Sequence, residues 1–388
     1  MTGKILRITT VPVSLHKLLQ GQPQFMMQNG FEMLLASANG TEIPKIEQET
    51  GLKVHILPLT RKISPITDLK ALWKTYKLIK QTQPDIVHTH TPKAGIIGML
   101  AAKLAGIPVR MHTVAGMPLL ETTGLKRQIL KRVEKLTYKS ATGVYPNSFG
   151  LKEIIIKNGL SSPNKLKVLA NGSSNGIDLN YFNPELYPEK DIQSLRIHLN
   201  ISNNDFVFSF VGRLVGDKGI NELVNAFIRL QKKYKHIKLL LIGNEEPNLD
   251  PLKPEVKQEI QNNKDIITTG WVDDVRPYFA ISNGFVFPSY REGMPNVVMQ
   301  AGAMGLASIV SDINGCNEII QNRINGLIIP PKNTEALFEA MRKFLTQKEL
   351  LLKLQKNARL SIQSRFEQKM VWQALLDEYQ KQLNQIKK

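Results

Sequence analysis

The sequence is short of several things, and each shortage excludes something. One cysteine, Cys316, stands among 388 residues, so the chain can close no disulfide within itself and can build no cysteine-rich zinc site. Aromatic residues make up 7%, few for the stacking surface, interleaved with basic residues, that a single-stranded nucleic acid needs. Long hydrophobic runs are missing. The longest, residues 94–109, is interrupted by Lys103 and falls short of the roughly 20 residues of a spanning helix. The opening MTGKILRITTVPV carries too short an apolar stretch for a signal peptide. These features predict a soluble chain of a reducing compartment, and at roughly 100–200 residues per domain they predict two domains.

Acidic residues are scarce in the first half alone. Residues 1–180 hold 24 Lys and Arg against 10 Asp and Glu, while residues 181–388 hold 27 against 23. So local an excess of positive charge suggests an anionic membrane, nucleic acid or an anionic substrate, or else plain solvated charge. It is densest in segment 125–139. On a helical wheel Leu125, Ile129, Leu130, Val133 and Leu136 fall in one arc, and Arg127, Lys131, Arg132, Lys135 and Lys139 in the opposite one. Two readings stand: a core-packed helix with a solvated basic face, or a basic face resting on an anionic membrane.

What is present is an alternation. Short apolar, β-branched runs at 5–10, 31–36, 54–57, 85–90, 109–113, 143–147 and 166–170 read as strands, separated by helical patterns near 15–29, 66–82, 94–105, 124–140 and 148–158. FVFSFVG (206–212), IKLLLIG (237–243), ITTG, GFVFPS, ASIVS and GLIIP repeat the plan, and helical segments at about 348–362 and 367–386 close the chain. Continuous apolar strands alternating with helices imply parallel sheets covered on both faces. The Asn-, Gly-, Ser- and Pro-rich stretch 171–190 reads as a linker. The expected architecture is two doubly wound, Rossmann-like α/β domains facing a central cleft, with ligands at the carboxyl ends of strands.

Three strand ends carry candidate chemistry. FVFSFVG runs into Arg213-Leu-Val-Gly216-Asp-Lys218-Gly219 and then a helix. Glycines allow a tight path, a helix N-terminus attracts anions, and Arg213 and Lys218 could clamp a diphosphate; an ordinary turn with solvated charges is the plainer reading. GFVFPS runs into Tyr290-Arg291-Glu292-Gly293-Met294-Pro295-Asn296. Pro295 suits a helix's first turn, the amides of Asn296, Val297 and Val298 point outward, and the Glu292 carboxylate could accept from sugar hydroxyls, or merely favour the helix start. In the first half His88, His90 and His112 sit at strand ends. No third ligand accompanies His88 and His90, so no metal site is expected.

Together these segments resemble one family. TGWVDDVRPYFAISNGFVFPSYREGMPNVV with FVGRLVGDKG upstream, and HTHTPKAGIIGMLAAKLAGIPVRMHT with NGIDLNYF in the first half, resemble retaining family-4 glycosyltransferases of GT-B fold, of the bacterial capsule and surface-polysaccharide type. The resemblance spans nearly the whole chain. It implies transfer of a sugar from a nucleotide sugar, UDP-N-acetylhexosamine or a related UDP-sugar, to a lipid-linked saccharide. It places such an enzyme in the cytoplasm, peripheral on the inner face of the bacterial membrane. It assigns Arg213 and Lys218 to the donor diphosphate, Glu292 to donor hydroxyls, and Gly293, Met294, Pro295, Asn296 and Val297 to the sugar and β-phosphate. Gly212 would belong to the same donor site, Gly243, Asn244 and Val272 would lie near the base, and His112 beside the donor sugar. It implies domains of 1–175 with about 367–388, and of 203–366, joined by a hinge at 176–202. A cationic clamp implies no essential metal and no cofactor, and no nucleic-acid partner is expected.

Two departures stand out. Where the family has a second glutamate eight positions after the first, this chain has Gln300, which can still pair with ribose hydroxyls but without a charge. The region after the first strand, VPVSLHKLLQGQPQFM, carries a single glycine, Gly21, in place of the family's Gly-Gly turn. One enzyme alternative is a UDP-sugar 2-epimerase on the same scaffold. It would need first-domain carboxylates near strand ends, for which Asp85 and Glu121 are the candidates.

Overall fold

The structure is a computed structural model that describes residues 3–61, 64–117, 119, 122–246 and 250–386; Glu121 lies outside them. The chain divides into two compact units, Met1–Gly176 with Gln368–Lys388, and Ile177–Glu367.

In the first unit six parallel strands, β1 (Gly3–Ile8), β2 (Phe31–Ser37), β3 (Val54–Ile56), β4 (Ile86–His90), β5 (Val109–Val114) and β6 (Gly143–Pro146), lie in the order β3-β2-β1-β4-β5-β6. Every residue of β4 is buried, as expected of a central strand covered on both faces. The second unit repeats the pattern with β7 (Phe206–Val211), β8 (Ile237–Ile242), β9 (Ile266–Gly270), β10 (Gly284–Phe287), β11 (Ser308–Ser311) and β12 (Gly326–Ile329), ordered β12-β11-β10-β7-β8-β9. In each sheet the order reverses beside the first strand, between β1 and β4 and between β7 and β10. Those are the switch points at which such sheets bind ligands.

The sequence reading and the structure differ in places. The single helix expected over 15–29 is two, Pro12–Leu18 and Gln22–Gln28. Residues 166–170 form no strand; Leu166 makes one bridge to Val144. Helix Ile43–Thr50 buries only Ile46, too little apolar pattern to announce itself. The expected hinge contains helix Glu189–His198, whose single buried residue is Arg196. It is anchored by polar contacts, Arg196 donating to the carbonyls of Ile281 (2.8 Å), Ser202 (2.8 Å) and Asp205 (2.6 Å). Ile177 joins the core of the second unit, and Arg359 donates to the carbonyls of Leu179 and Phe182. Residues 177–202 therefore group with the second unit.

The last helix, Gln368–Ile386, belongs to the first unit. Its Leu375, Leu376, Tyr379 and Leu383 pack with Ile5, Ile86 and Met111 of the sheet. A buried polar chain ties it further. Arg7 donates to the Tyr379 hydroxyl at 2.8 Å, that hydroxyl lies 2.6 Å from His88 Nδ1, and His88 Nε2 lies 2.8 Å from Thr113 Oγ1.

Candidate functional site

The loops after β7 and β10 are packed together at the second sheet's switch point. Gly219 has φ +73°, and a Cβ there would meet the Pro288 carbonyl oxygen at 2.2 Å; only glycine lets the two loops come this close. Tyr290 N–H then donates to the Asp217 carbonyl at 2.9 Å, and Arg291 forms an ion pair with Asp217. The Asp250 carboxylate in turn accepts from the Asp217 amide at 2.6 Å. These contacts fix both loops before any ligand arrives.

Upon that base sit two of the residues singled out in the sequence, joined in a pair that the sequence reading did not anticipate. Lys218 forms an ion pair with Glu292 through Oε1, and both side chains are largely buried. Ser289 Oγ donates to the same oxygen at 2.9 Å, so Oε2 has no hydrogen-bond partner among the described residues. Asn314 Nδ2 donates to the Glu292 carbonyl, holding that backbone from the β11 side. Lys218 Nζ also lies 5.6 Å from the centre of the Phe287 ring, within cation–π range.

Gly293, Met294 and Pro295 lead into helix Asn296–Ala303, which has no side-chain cap. Val298 N–H donates to the Pro295 carbonyl at 3.2 Å, so of the three amides expected to be open, those of Asn296 and Val297 remain. An uncapped helix start of this kind favours an anion. Gln300 lies half-buried on the same helix.

Arg213 stands apart from this pair. It is exposed and meets Glu246, in the loop after β8, at 3.3 Å; such a contact is weak and leaves the guanidinium free to turn elsewhere. Gly243 (φ +137°) would place a Cβ 2.0 Å from the Gly212 carbonyl oxygen, so the ends of β7 and β8 touch backbone to backbone. Asn244 Oδ1 accepts from Trp271 N–H at 2.9 Å, which brings Val272 to the same edge of the sheet.

In the first unit His112 is buried, with Nδ1 2.8 Å from Thr89 Oγ1. Burial lowers its pKa to about 4, so the imidazole is neutral at physiological pH. His88 and His90 are likewise held well below the usual range, first by burial and then by the neighbouring imidazoles and the Arg7 guanidinium. Among the described residues no group of three His, Cys, Asp or Glu is placed to hold a metal ion.

Helix Gly124–Ser140 is rotated away from the core-packed expectation: of its apolar arc Leu130 packs against the core and Val133 is half-buried, but the rest is exposed. Its buried residues are Glu134, Thr137, Tyr138 and Ser140, while Leu125, Ile129 and Leu136 are 72%, 41% and 44% exposed. Arg127, Arg132, Lys135 and Lys139 are exposed and Lys131 is half-buried. No helix among the described residues is long and apolar enough to cross a membrane.

Sequence reasoning missed the supports of the site: the Asp217–Arg291 pair, Ser289 and Asn314. The Asn-Gly turn after ASIVS was the available signal for Asn314. It also missed Glu134, hidden in a basic segment.

Two doubly wound sheets with a cation–carboxylate pair at a switch point define a GT-B scaffold, and comparison with known proteins supplies the family. Residues 191–361 match the model for glycosyl transferases group 1, and residues 25–172 the glycosyl transferase 4-like domain. The chain is 31% identical over 377 residues to the capsular polysaccharide biosynthesis glycosyltransferase of Staphylococcus aureus, covering 97% of this chain and 96% of that one. It is 32% identical over 374 residues to the UDP-Gal:alpha-D-GlcNAc-diphosphoundecaprenol alpha-1,3-galactosyltransferase of Escherichia coli, covering 93% of each. Among solved structures, a glycosyltransferase from Rickettsia africae superposes with a TM-score of 0.82 at 20% identity, covering 98% of each chain. An Anabaena protein crystallised with UDP superposes at 0.79 and 18%, covering 97% of this chain and 99% of that one; these two likenesses establish the fold. The chain belongs to the group 1 glycosyltransferases with a family-4-like N-terminal domain. It is a glycosyltransferase, and the epimerase alternative is set aside.

Proposed function

We propose that this enzyme moves a sugar from a UDP-sugar to a polyprenyl-diphosphate-linked saccharide during surface-polysaccharide synthesis, with retention at the anomeric carbon. A UDP-N-acetylhexosamine or a related UDP-sugar is the donor. The observation that carries the donor half is the Lys218–Glu292 pair beside the uncapped start of helix Asn296–Ala303. Lys218 and the amides of Asn296 and Val297 supply positive potential where the leaving diphosphate gathers charge, and Arg213 swings from Glu246 to add a fork. Glu292 keeps Oε2 for a donor hydroxyl while Oε1 stays with Lys218 and Ser289. Asn244, Val272 and Gln300 line the nucleoside end, Gly212 and Gly243 let it approach, and His112 attends the transferred sugar as a neutral hydrogen-bonding group. The departing phosphate accepts the proton of the attacking hydroxyl on the same face of the sugar. That route requires neither a second carboxylate of the glycosidase kind nor an essential metal. The relative from Escherichia coli, whose acceptor is a diphosphoundecaprenol-linked sugar, supports the acceptor half, and the one from Staphylococcus aureus supports the place in surface-polysaccharide synthesis.

The enzyme works from the cytoplasmic face of the membrane, held by helix Gly124–Ser140. Leu125, Ile129 and Leu136 form an exposed apolar stripe flanked by Arg132, Lys135 and Lys139, the arrangement of a helix that lies in an anionic interface. Calorimetry with UDP, and thermal shift against a panel of nucleotide sugars, test the donor reading. UDP-linked sugars should raise the melting temperature and GDP-linked ones should not; preference for another base would contradict it.

A further inference from the structure

On the first unit, beside the ends of β4 and β5, lies a cavity of about 210 Å³ lined by Thr91, Pro92, His112, Thr113, Gly116 and Glu134, among others. That is several water volumes. Among the described residues its one carboxylate belongs to Glu134, whose residue is only 6% exposed. Glu134 forms none of the ion pairs found among the described residues, although its helix is crowded with basic residues; those face outward. A carboxylate taken out of water with no cation beside it costs stability unless something else repays it. Nearby backbone is strained as well. Thr91 has φ +75°, which a β-branched residue rarely adopts. It is held by Thr10, whose amide donates to Thr91 Oγ1 at 3.1 Å and whose hydroxyl lies 2.7 Å from the same atom. The seat of His112 is equally specific: a Cβ on Gly95 would fall 2.5 Å from His112 Cε1, and Tyr138 lies 5.9 Å away, ring centre to ring centre.

The chemistry narrows the ligand. A buried carboxylate repels phosphate, so the diphosphate of a lipid-linked substrate cannot be the group seated here. A neutral sugar can be, since its hydroxyls donate to a carboxylate and exchange with neutral imidazole. Resting on the glycosyltransferase reading above, we propose that this cavity receives the reacting end of the acceptor saccharide, and that Glu134 accepts a hydrogen bond from a hydroxyl of that sugar. One helix then carries both specificities of a lipid-linked acceptor. Its basic outer face meets the anionic membrane, and Glu134 on its inner face meets the sugar. Burial pushes the Glu134 carboxyl above the ordinary carboxylate range, with the nearby Tyr138 phenol pulling the other way, which accords with a group stabilised more fully by a bound donor than by the empty protein.

The test is steady-state kinetics on the full chain, with GlcNAc-diphosphate on a short polyprenol as acceptor and UDP-galactose and UDP-N-acetylgalactosamine in turn as donors. Glu134→Ala should raise the acceptor KM about tenfold or more, the scale of a lost charge-assisted hydrogen bond. Glu134→Gln, which keeps the shape, should raise it less. The donor KM and the affinity for UDP should stay within twofold of wild type. Acceptor analogues lacking one hydroxyl at a time supply a second readout. For one of them the penalty seen with wild type should vanish in Glu134→Ala, because the two changes remove the same contact, and should shrink in Glu134→Gln, whose amide oxygen still accepts but without a charge. If Glu134→Ala fails to fold, Glu134→Gln and the analogues carry the test. An unchanged acceptor KM in a folded variant, a rise in the donor KM instead, or a loss confined to melting temperature would overturn the assignment. Failure of wild type to turn over either donor would instead strike the proposed donor and acceptor on which it rests.

Discussion

Lys218 and Glu292 meet across two loops that the chain separates by more than seventy residues, and each depends on the other. Lys218→Ala removes the charge nearest the expected diphosphate and leaves a largely buried carboxylate unpaired. It should lower kcat/KM by about 10²-fold or more, the scale of a lost transition-state charge stabiliser. Near-normal activity, measured as UDP release, would remove the role given to this lysine. Gln300→Glu restores the carboxylate that the family places there. It should tighten UDP binding by roughly 0.5–1.5 kcal/mol, the scale of one hydrogen bond, and Gln300→Ala should weaken it; calorimetry flat in both variants would show that position 300 does not reach the nucleotide. At this scale the sequence was legible wherever a residue type and its neighbours announced the chemistry. Arg213, Lys218 and Glu292 stand at strand ends in recognisable company. Asp217, Ser289 and Asn314 do not, because their role is to hold another residue, and that appears only when distant loops are brought together. Glu134 was illegible for a different reason: five basic neighbours make its helix read as a charged surface, and only burial separates it from them.

Helix Gly124–Ser140 shows how periodicity can find an element and misjudge its orientation. The wheel separates apolar from basic residues correctly, and the usual rule sends the apolar arc inward. Here the inward face is centred on Glu134, Thr137 and Tyr138, with Leu130 alone of the apolar arc packed against the core beside them. The exposed aliphatic stripe should insert at an interface, with Arg132, Lys135 and Lys139 supplying attraction of about 1 kcal/mol each. Flotation with anionic liposomes checks this. The combined Arg132→Glu, Lys135→Glu and Lys139→Glu variant should lose binding while keeping UDP affinity, and Leu125→Ser with Ile129→Ser should weaken binding in a way that high salt does not mimic. A wild type that never floats would mark the face as ordinary surface. Helices Ile43–Thr50 and Glu189–His198 escaped notice because each buries a single residue, too little for a period to register. Where burial was continuous, as in β4 and β7, strands were found within a residue or two.

On the scale of the whole molecule, each unit carries its own core. The first unit keeps His88, His90 and His112 buried and neutral. Each has a folded pKa below its unfolded value near 6.5. The unfolded chain therefore binds protons first as pH falls, and stability is lost on acidification. For His112 the window runs from about pH 6.5 down to about 4. Calorimetry at pH 7.5 and pH 5 should show a transition of the first unit moving to lower temperature, and His112→Asn should blunt that shift; a pH-independent scan would contradict the burial of these rings in neutral form. The returning helix is part of the same unit, so Tyr379→Phe, which strips a partner from buried Arg7 and His88, should cost about 1–3 kcal/mol in urea unfolding. A change near zero would mean that water replaces the hydroxyl. The alternation of strands and helices made both sheets legible, while the polar chain Arg7–Tyr379–His88–Thr113 was not, since its members are spread across the sequence. The central claim is the transfer itself. Purified enzyme, a UDP-sugar and a polyprenyl-diphosphate-linked sugar should yield UDP and a lipid-linked product heavier by one sugar, with the anomeric configuration of the donor retained by NMR. UDP release that ignores the acceptor, no extended product with any UDP-sugar, or a product of inverted configuration would contradict the account.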